Sequence, residues 1–213
     1  MEFNIITVFP EFFDGFLKTS LIGKAISKKV LKINIIDLKK YGIGQYNKVD
    51  DTPYGGGAGM VIRVDVINEA LKSIKNPGYK ILLEASGKKY TQSTAKVLSQ
   101  NYSAITLICG RFEGFDYRVK KLVDTSISVG NYVTMGGEAP ATIIVESVSR
   151  LIPNVIGNLD STIEESYSNK YLHEYPLYTK PRDFNNQKVP NVLLEGNHKK
   201  IEEWRNKKGK LKK

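Results

Sequence analysis

The chain is predicted to be an α/β protein with a mostly parallel sheet and helices on both faces. Short runs rich in Ile, Leu and Val recur along it, and stretches with helical periodicity separate them. Strands that alternate with helices in this way usually pair in parallel, because each helix returns the chain to the same end of the sheet.

The predicted strands are short apolar runs, as is typical of strands buried inside a sheet. In the second run, Leu31, Ile33 and Ile35 alternate with polar residues, which places them on one face of a strand. The predicted strands cover residues 3–8, 31–37, 79–83, 104–109 and 126–129.

Helical periodicity is clearest directly after the first strand. Pro10 suits the first turn of a helix, and Phe13, Leu17, Leu21 and Ala25 follow at a spacing of four. Further helices are predicted over residues 64–75, 92–101, 116–123 and 138–152, with a short last helix from about Asn197.

Two tracts interrupt this pattern. Residues 41–60 contain six glycines without periodicity, and long loops in compact domains are usually functional. Residues 157–170 are polar and indicate a linker. We therefore expect a first domain over 1–158, a flexible linker over 159–170 and a small basic domain over 171–213.

Composition limits the classes of function. A hydrophobic fraction of 41% predicts a folded core. The sequence lacks both a long apolar run and a signal peptide, so we expect a cytoplasmic protein without a membrane partner. The net charge of +10 favours a polyanionic partner. Eight basic and two acidic residues lie between Gly196 and Lys213, which fits a phosphate-binding segment or a solvated terminus equally well.

Several common catalytic motifs are missing from the sequence. It contains no dinucleotide-binding glycine fingerprint, no P-loop, no zinc-protease helix motif and no nucleophile elbow. A single cysteine, Cys109, and two histidines, His173 and His198, exclude thiolate-rich and histidine-based metal sites.

Glycines cluster where the predicted strands end. Gly110 and Gly114 follow the strand at 104–109, Gly130 follows the strand at 126–129, and Gly136 and Gly137 precede the long helix. Parallel α/β sheets bind ligands beyond the carboxyl ends of their strands, and glycine lets the backbone approach a ligand closely. The pattern favours an adenosine-binding site, although a tight turn also explains each glycine taken singly.

Seven stretches of the sequence resemble those of a known enzyme family. Matching strings run in the same order as in the bacterial tRNA (guanine-N1)-methyltransferases, which belong to the knotted SPOUT class. The strings are FNIITVFPEFFDGF (3–16), DDTPYGGGAGM (50–60), CGRFEGFDYRV (109–119), ISVGNYVTMGGE (127–138), SRLIPNVIGN (149–158), EYPLYTKPRDF (174–184) and VPNVLLEGNHKKIEEWR (189–205). The resemblance implies a deep trefoil knot, a short helical C-terminal domain and an obligate homodimer with shared active sites.

The resemblance also implies an activity. Members of this family transfer a methyl group from S-adenosylmethionine to N1 of the guanine 3′ of the anticodon in tRNA, which supports reading-frame maintenance. The implied partner is the tRNA anticodon stem-loop, not DNA. The implied donor-binding residues are Leu82, Leu83, Gly110, Phe112, Glu113, Gly114, Val129, Gly130, Tyr132, Thr134, Gly136 and Gly137. The implied tRNA-binding residues are Asp50, Gly55, Gly56, Gly57, Gly59, Tyr178, Lys180, Arg182, Asn197 and His198.

Two further residues carry the implied chemistry. Arg150 matches an arginine that stabilises negative charge on guanine O6, and Glu165 matches the carboxylate that removes the proton from N1. The family usually has aspartate there, so Glu164 and Asp160 remain alternative bases. Glu113 and Glu165 are the implied oxygen ligands of a Mg²⁺ ion.

The chain departs from the family pattern elsewhere as well. Ala58 and Ala85 replace prolines, Lys180 replaces an arginine, and the chain stops at Lys213, where relatives continue with a further basic segment. These departures keep open a tRNA-binding protein that has lost catalysis. A SPOUT methyltransferase with a different RNA target is the alternative within enzymes, and a non-enzymatic dimeric scaffold has no positive feature in its favour.

Overall fold

The first of two units, residues 1–156, is built on a single parallel sheet. In the computed structural model, which describes residues 1–157, 165–167 and 171–211, the sheet strands are β1 (Glu2–Thr7), β2 (Lys32–Asp37), β5 (Tyr79–Lys89), β6 (Ala104–Cys109) and β7 (Thr125–Ser128). Their order is β2-β1-β6-β5-β7, and every neighbouring pair is parallel. Two short strands, β3 (Asp50–Asp51) and β4 (Val61–Ile62), pair antiparallel outside this sheet.

Side chains of the sheet alternate between two hydrophobic clusters, one on each face. On β6, Ile105 and Leu107 enter the first cluster and Ile108 enters the second. The helices are α1 (Asp14–Lys18), α2 (Ser20–Ser27), α3 (Val64–Lys72), α4 (Gln92–Asn101) and α5 (Glu138–Ser149). Helix α3 packs on the second cluster, whereas α2, α4 and α5 pack on the first. The prediction of a parallel sheet with helices on both faces is confirmed.

The predicted first helix is broken into three pieces. A 3₁₀ turn over Pro10–Phe13 leads into α1, and the chain then becomes extended at Thr19 before α2 begins. Ser20 has a positive φ of 55°. The break turns Leu21, which the spacing of four assigned to the core, to 43% exposure, whereas Phe13 and Ala25 are buried as expected.

Two other predicted elements also differ from the structure. Residues 116–123 form a 3₁₀ turn over Tyr117–Lys121, not an α-helix, and the Asp116 side chain caps it by accepting from Arg118 N–H. Strand β5 continues past the predicted end at residue 83, because its pairing with β7 resumes at Lys88 after a bulge. Gly87 makes the resumption possible, since a Cβ there would lie 2.6 Å from the backbone of Ile127.

The second unit, residues 157–213, contains short strands and one helix among its described residues. These elements are β8 (Tyr171–His173), β9 (Asp183–Phe184), β10 (Gln187–Lys188), α6 (His198–Lys208) and β11 (Lys210–Leu211). Asn197 starts α6 by accepting a hydrogen bond from Lys200 N–H, at the position the sequence predicts. Trp204 of α6 packs near Tyr178, with ring centroids 6.2 Å apart, and Arg205 lies over the Tyr175 ring at 4.7 Å.

Across the described ranges, no helix is long and apolar enough to span a membrane.

Candidate active site

A cavity of about 390 Å³ opens at the carboxyl edge of the sheet. The segments that follow β5, β6 and β7 form its walls, and the start of α5 closes one side. The cavity is lined by Leu83, Glu84, Ala85, Ser86, Gly110, Arg111, Phe112, Glu113, Gly114, Phe115, Ile127, Ser128, Val129, Tyr132, Val133, Thr134, Met135, Gly136, Gly137 and Pro140. Because all the sheet strands are parallel, their following loops converge on this edge.

Glycine is required at several points in these walls. A Cβ on Gly137 would lie 2.6 Å from Cys109 Cα, and a Cβ on Gly110 would lie 2.9 Å from the Phe115 ring. Gly137 N–H donates to Gly110 O at 2.8 Å and so joins the start of α5 to the end of β6. A Cβ on Gly130 would overlap the Tyr132 ring.

Most residues implied as donor-binding meet in this cavity. Two of the predicted set do not line it. Leu82 is fully buried in the second hydrophobic cluster. Gly130 sits against Tyr132 just behind the lining. The donor-binding assignment of both residues stays a prediction.

Other lining residues are absent from the implied donor-binding set, although Ala85 was already identified as a position where the family has proline. Glu84, Ala85 and Ser86 belong to the bulge in β5, and their position directly after the predicted strand at 79–83 was a usable signal. The Glu84 carboxylate lies 2.9 Å from Lys120 Nζ, and this contact raises the pKa of Lys120. Arg111 was also missed, although it directly follows Gly110.

The glycine-rich loop is joined to one wall of the cavity. Glu113 N–H donates to Met60 O at 3.0 Å, and Ile62 N–H donates to Gly114 O at 2.9 Å. Gly59 has a φ of +80°, and a Cβ there would lie 2.5 Å from Glu113 Cγ. Glu113 therefore contacts both the cavity and the loop that the resemblance assigns to tRNA.

The three other glycines that the resemblance assigns to tRNA in that loop are exposed. Gly55, Gly56 and Gly57 all have positive φ, and a Cβ on any of them would have at least 4 Å of free space. Asp50 is half-buried and pairs through its backbone with Ile62. These glycines thus support a backbone conformation rather than a close packing contact.

A pair of charged groups, Arg111 and Glu138, lies at the cavity wall, and Arg111 is one of the residues that line it. Glu138 is only 1% exposed, and its carboxylate accepts from Thr7 Oγ1 at 2.8 Å. Arg111 Nη2 lies 3.4 Å from Glu138 Oε2, and Arg111 Nη1 donates to Met135 O at 2.9 Å.

Burial, and secondly the nearby Glu138, raises the pKa of Cys109 well above its usual value, which keeps this thiol protonated.

The two predicted catalytic residues belong to different units. Arg150 ends α5 in the first unit, where its N–H donates to Glu146 O at 3.0 Å and its side chain is half-buried. Glu165 is half-buried in the second unit. The alternative bases Asp160 and Glu164 lie outside the described residues.

The predicted tRNA-binding residues of the second unit are exposed. Lys180 and Arg182 precede the β9–β10 hairpin, and Tyr178 is 49% exposed. Asn197 and His198 begin α6, whose last turn carries Arg205, Lys207 and Lys208.

No group of three or more metal-ligating side chains occurs within residues 1–157, 165–167 and 171–211. Glu113 lies in the first unit and Glu165 in the second, and their assignment as Mg²⁺ ligands stays a prediction.

Comparison with known proteins decides the family. The family model described as tRNA (Guanine-1)-methyltransferase TrmD matches residues 1–213. The chain belongs to this family. It is 47% identical over 206 residues to a tRNA (guanine-N(1)-)-methyltransferase of Mycoplasmopsis synoviae, covering 96% of this chain and 90% of the relative. The protein of the same name from Carboxydothermus hydrogenoformans is 46% identical over 213 residues, covering 99% of this chain and 83% of the relative.

A third relative gives the same result. The tRNA (guanine-N(1)-)-methyltransferase of Lactobacillus delbrueckii subsp. bulgaricus is 46% identical over 205 residues, covering 96% of this chain and 82% of the relative. The match to the tRNA (guanine-1)-methyltransferase family spans both units, so it includes the cavity of the first and the basic helix of the second.

Proposed function

We propose that this chain is a tRNA (guanine-N1)-methyltransferase that uses S-adenosylmethionine to methylate the guanine 3′ of the anticodon. The observation that carries the proposal is the family match over residues 1–213. The cavity at the carboxyl edge of the sheet supports it, since its volume of about 390 Å³ is suited to a ligand of this size.

The cavity has the chemistry that an adenosine group needs. Leu83, Ile127, Val129 and Pro140 offer apolar surface to the faces of a purine ring. The glycine turns let the backbone of the cavity wall approach a ligand closely. S-adenosylmethionine supplies an activated methyl group when it is bound.

The two proposed catalytic residues have different roles, proton removal and stabilisation of negative charge. Guanine N1 carries a proton, and Glu165 is proposed to remove it as the methyl group arrives. Negative charge then grows on O6, and Arg150 is proposed to stabilise that charge more in the transition state than in the ground state. Arg150 is well placed to keep a fixed position, because its backbone is the hydrogen-bonded end of α5.

The assembly is part of the same proposal. We propose that the first unit carries the family's trefoil knot and that two chains form a homodimer with shared active sites. Val133 and Met135 line the cavity and are 89% and 90% exposed. Large apolar side chains exposed together mark interaction surfaces, so they support a second chain covering this edge.

The tRNA is proposed to contact both units. In the first unit, the glycine loop contacts Glu113, and Asp50 precedes that loop. In the second unit, polar and aromatic groups are presented by Tyr178, Lys180, Arg182, Asn197 and His198. The basic last turn of α6 adds affinity for phosphates. We also propose that Glu113 and Glu165 bind Mg²⁺. The protein is proposed to act in the cytoplasm.

The decisive test is methyl transfer from labelled S-adenosylmethionine to two unmodified tRNA transcripts. One carries guanine at the position 3′ of the anticodon, and the other carries adenine there. We expect label on the first transcript only. Label on neither transcript, with the donor and tRNA still bound, would instead support a binding protein that has lost catalysis.

The base is tested by a pair of neighbouring variants. Glu165→Gln keeps the size of the side chain but removes the carboxylate, so we expect kcat to fall by roughly 100-fold or more. Glu164→Gln, the matched control, is expected to keep nearly full turnover. The reverse pattern would move the base to Glu164.

A further inference from the structure

The buried contact between Arg111 and Glu138 has not been used by the proposed mechanism. It joins Arg111, which lines the cavity, to the buried first residue of α5. The Glu138 carboxylate has one strong partner, Thr7 Oγ1 at 2.8 Å, at the carboxyl end of β1. The end of β1, the segment after β6 and the start of α5 therefore meet at this carboxylate.

Arg111 extends this contact to the cavity wall itself. Its Nη1 donates to Met135 O at 2.9 Å, and its guanidinium lies over the Phe9 ring at 4.6 Å. Residues 131–135 are all exposed, so this hydrogen bond is a principal tie between that loop and the interior. Thr134 makes a second, local contact by donating to Gly136 O at 2.9 Å.

The same ion pair leaves no room for a side chain at position 136. A Cβ on Gly136 would lie 2.8 Å from Arg111 Nε and would overlap Glu138 Oε2. The loop can thus pass over the ion pair only because residue 136 has no side chain. The position of residues 135–137, which line the cavity, is set by the position of the ion pair.

The Arg111–Glu138 ion pair is not well explained as a contribution to the stability of the fold. Glu138 Oε2 and Arg111 Nε are both buried, and neither has a hydrogen-bond partner among the residues described. Removing charges from water is unfavourable unless good hydrogen bonds compensate, so a buried ion pair with incomplete bonding is weak evidence for stabilisation. The pair's geometry is better explained by the loop that it holds.

We infer that Glu138 and Arg111 are positioning residues for the methyl donor, holding the 131–137 loop in the shape that forms the cavity wall. This inference rests on the proposed function, because it assumes that the cavity binds S-adenosylmethionine. Neither side chain is assigned a role in the methyl transfer. Glu138 anchors Arg111, and Arg111 carries the effect to the backbone of Met135.

Two variants separate positioning from folding. Glu138→Gln keeps the shape and an acceptor for Thr7 but removes the charge that orients Arg111. Arg111→Lys keeps a positive charge but lacks the planar fork that reaches Glu138 and Met135 O together. We expect the dissociation constant of S-adenosylmethionine, measured by equilibrium dialysis, to rise roughly tenfold for Glu138→Gln and less for Arg111→Lys.

The control is Arg118→Gln in the same segment of chain. Arg118 is largely exposed and pairs with Asp116 at 2.6 Å, so this variant removes an arginine charge without touching the loop. Its donor affinity should match that of the original chain. The KM for tRNA should also change less than twofold in the Glu138 and Arg111 variants, since only the donor site is affected.

The outcomes are distinct. The inference is overturned if folded Glu138→Gln and Arg111→Lys both bind the donor with an affinity within twofold of the original chain. Their thermal stability does not alter this conclusion. If Glu138→Gln does not fold, Arg111→Lys decides alone, because its side chain reaches the surface. Failure of the unsubstituted chain to bind S-adenosylmethionine would remove the proposed function itself, a result that the variants cannot produce.

Discussion

Replacing Gly137 with alanine tests whether the junction of β6 and α5 builds the cavity. The new Cβ would lie 2.6 Å from Cys109 Cα and 2.8 Å from Gly110 N. Carbon atoms pack best about 3.5–4.0 Å apart, so the backbone must move by about 1 Å. Cys109 is 1% exposed, which leaves the strand little room to yield.

The size of the effect follows from this geometry. Overpacking of this kind costs about 1–3 kcal/mol of unfolding free energy. The same movement would strain the 2.8 Å bond from Gly137 N–H to Gly110 O and shift both walls of the cavity. A displacement of about 1 Å at a reacting centre can cost roughly 100-fold in rate. We therefore expect large losses of both donor affinity and turnover.

Gly15→Ala is the matched control. Gly15 lies in α1, and a Cβ there would have nothing within 4 Å, so alanine should stabilise the chain by about 0.5–1 kcal/mol. Urea unfolding and equilibrium dialysis with S-adenosylmethionine measure both variants. If Gly137→Ala unfolds at the same urea concentration as the original chain and binds the donor equally well, the argument from close approach is refuted.

Other parts of the chain give further expectations. The hydrogen bond from Lys32 lowers the pKa of Glu2 below its usual 4.5, so its stabilising effect is present above pH 4.5 and is lost as pH falls through the lowered value. The stability difference between the original chain and Glu2→Gln should therefore shrink in urea unfolding between about pH 5 and pH 3. Tyr90→Phe removes a 2.6 Å hydrogen bond with Ser147 and should cost about 0.5–1.5 kcal/mol in urea unfolding; an unchanged midpoint would mean the bond adds no net stability. Asn197→Ala removes the cap of α6 and should lower the helix signal and weaken tRNA binding in a filter assay, whereas unchanged values for both would separate the cap from function.

The strands were predictable because burial leaves a direct mark on the sequence. Strand β6 is covered on both faces, so all its residues except Thr106 are apolar, and its bounds match the prediction. The break at Thr19 was not predictable, because apolar spacing reports which face is buried and not whether one residue becomes extended. The bulge after Leu83 was missed for a related reason, since it depends on how β5 pairs with β7.

The position of the cavity was predictable from the sequence, but the buried contacts that hold its wall were not. Glycines after strands indicated the edge of the sheet where a ligand would bind, and the cavity lies there. The contact of Glu138 with Thr7 and Arg111 joins residues that are far apart in the chain, and no local pattern encodes such a pairing. The residue-by-residue donor and tRNA assignments stay predictions of the family resemblance.

The proposed donor binding and the proposed proton removal are expected to respond to different substitutions. Among the residues that the structure describes, those that line the cavity lie between positions 83 and 140 of the first unit, whereas Glu165 belongs to the second. A change confined to Glu165 leaves those walls intact, so it should lower kcat without raising the dissociation constant of the donor. A change at Gly137 or Glu138 alters the walls, so it should lower donor affinity even when tRNA is absent. Loss of donor affinity in Glu165→Gln would mean instead that the second unit forms part of the donor site.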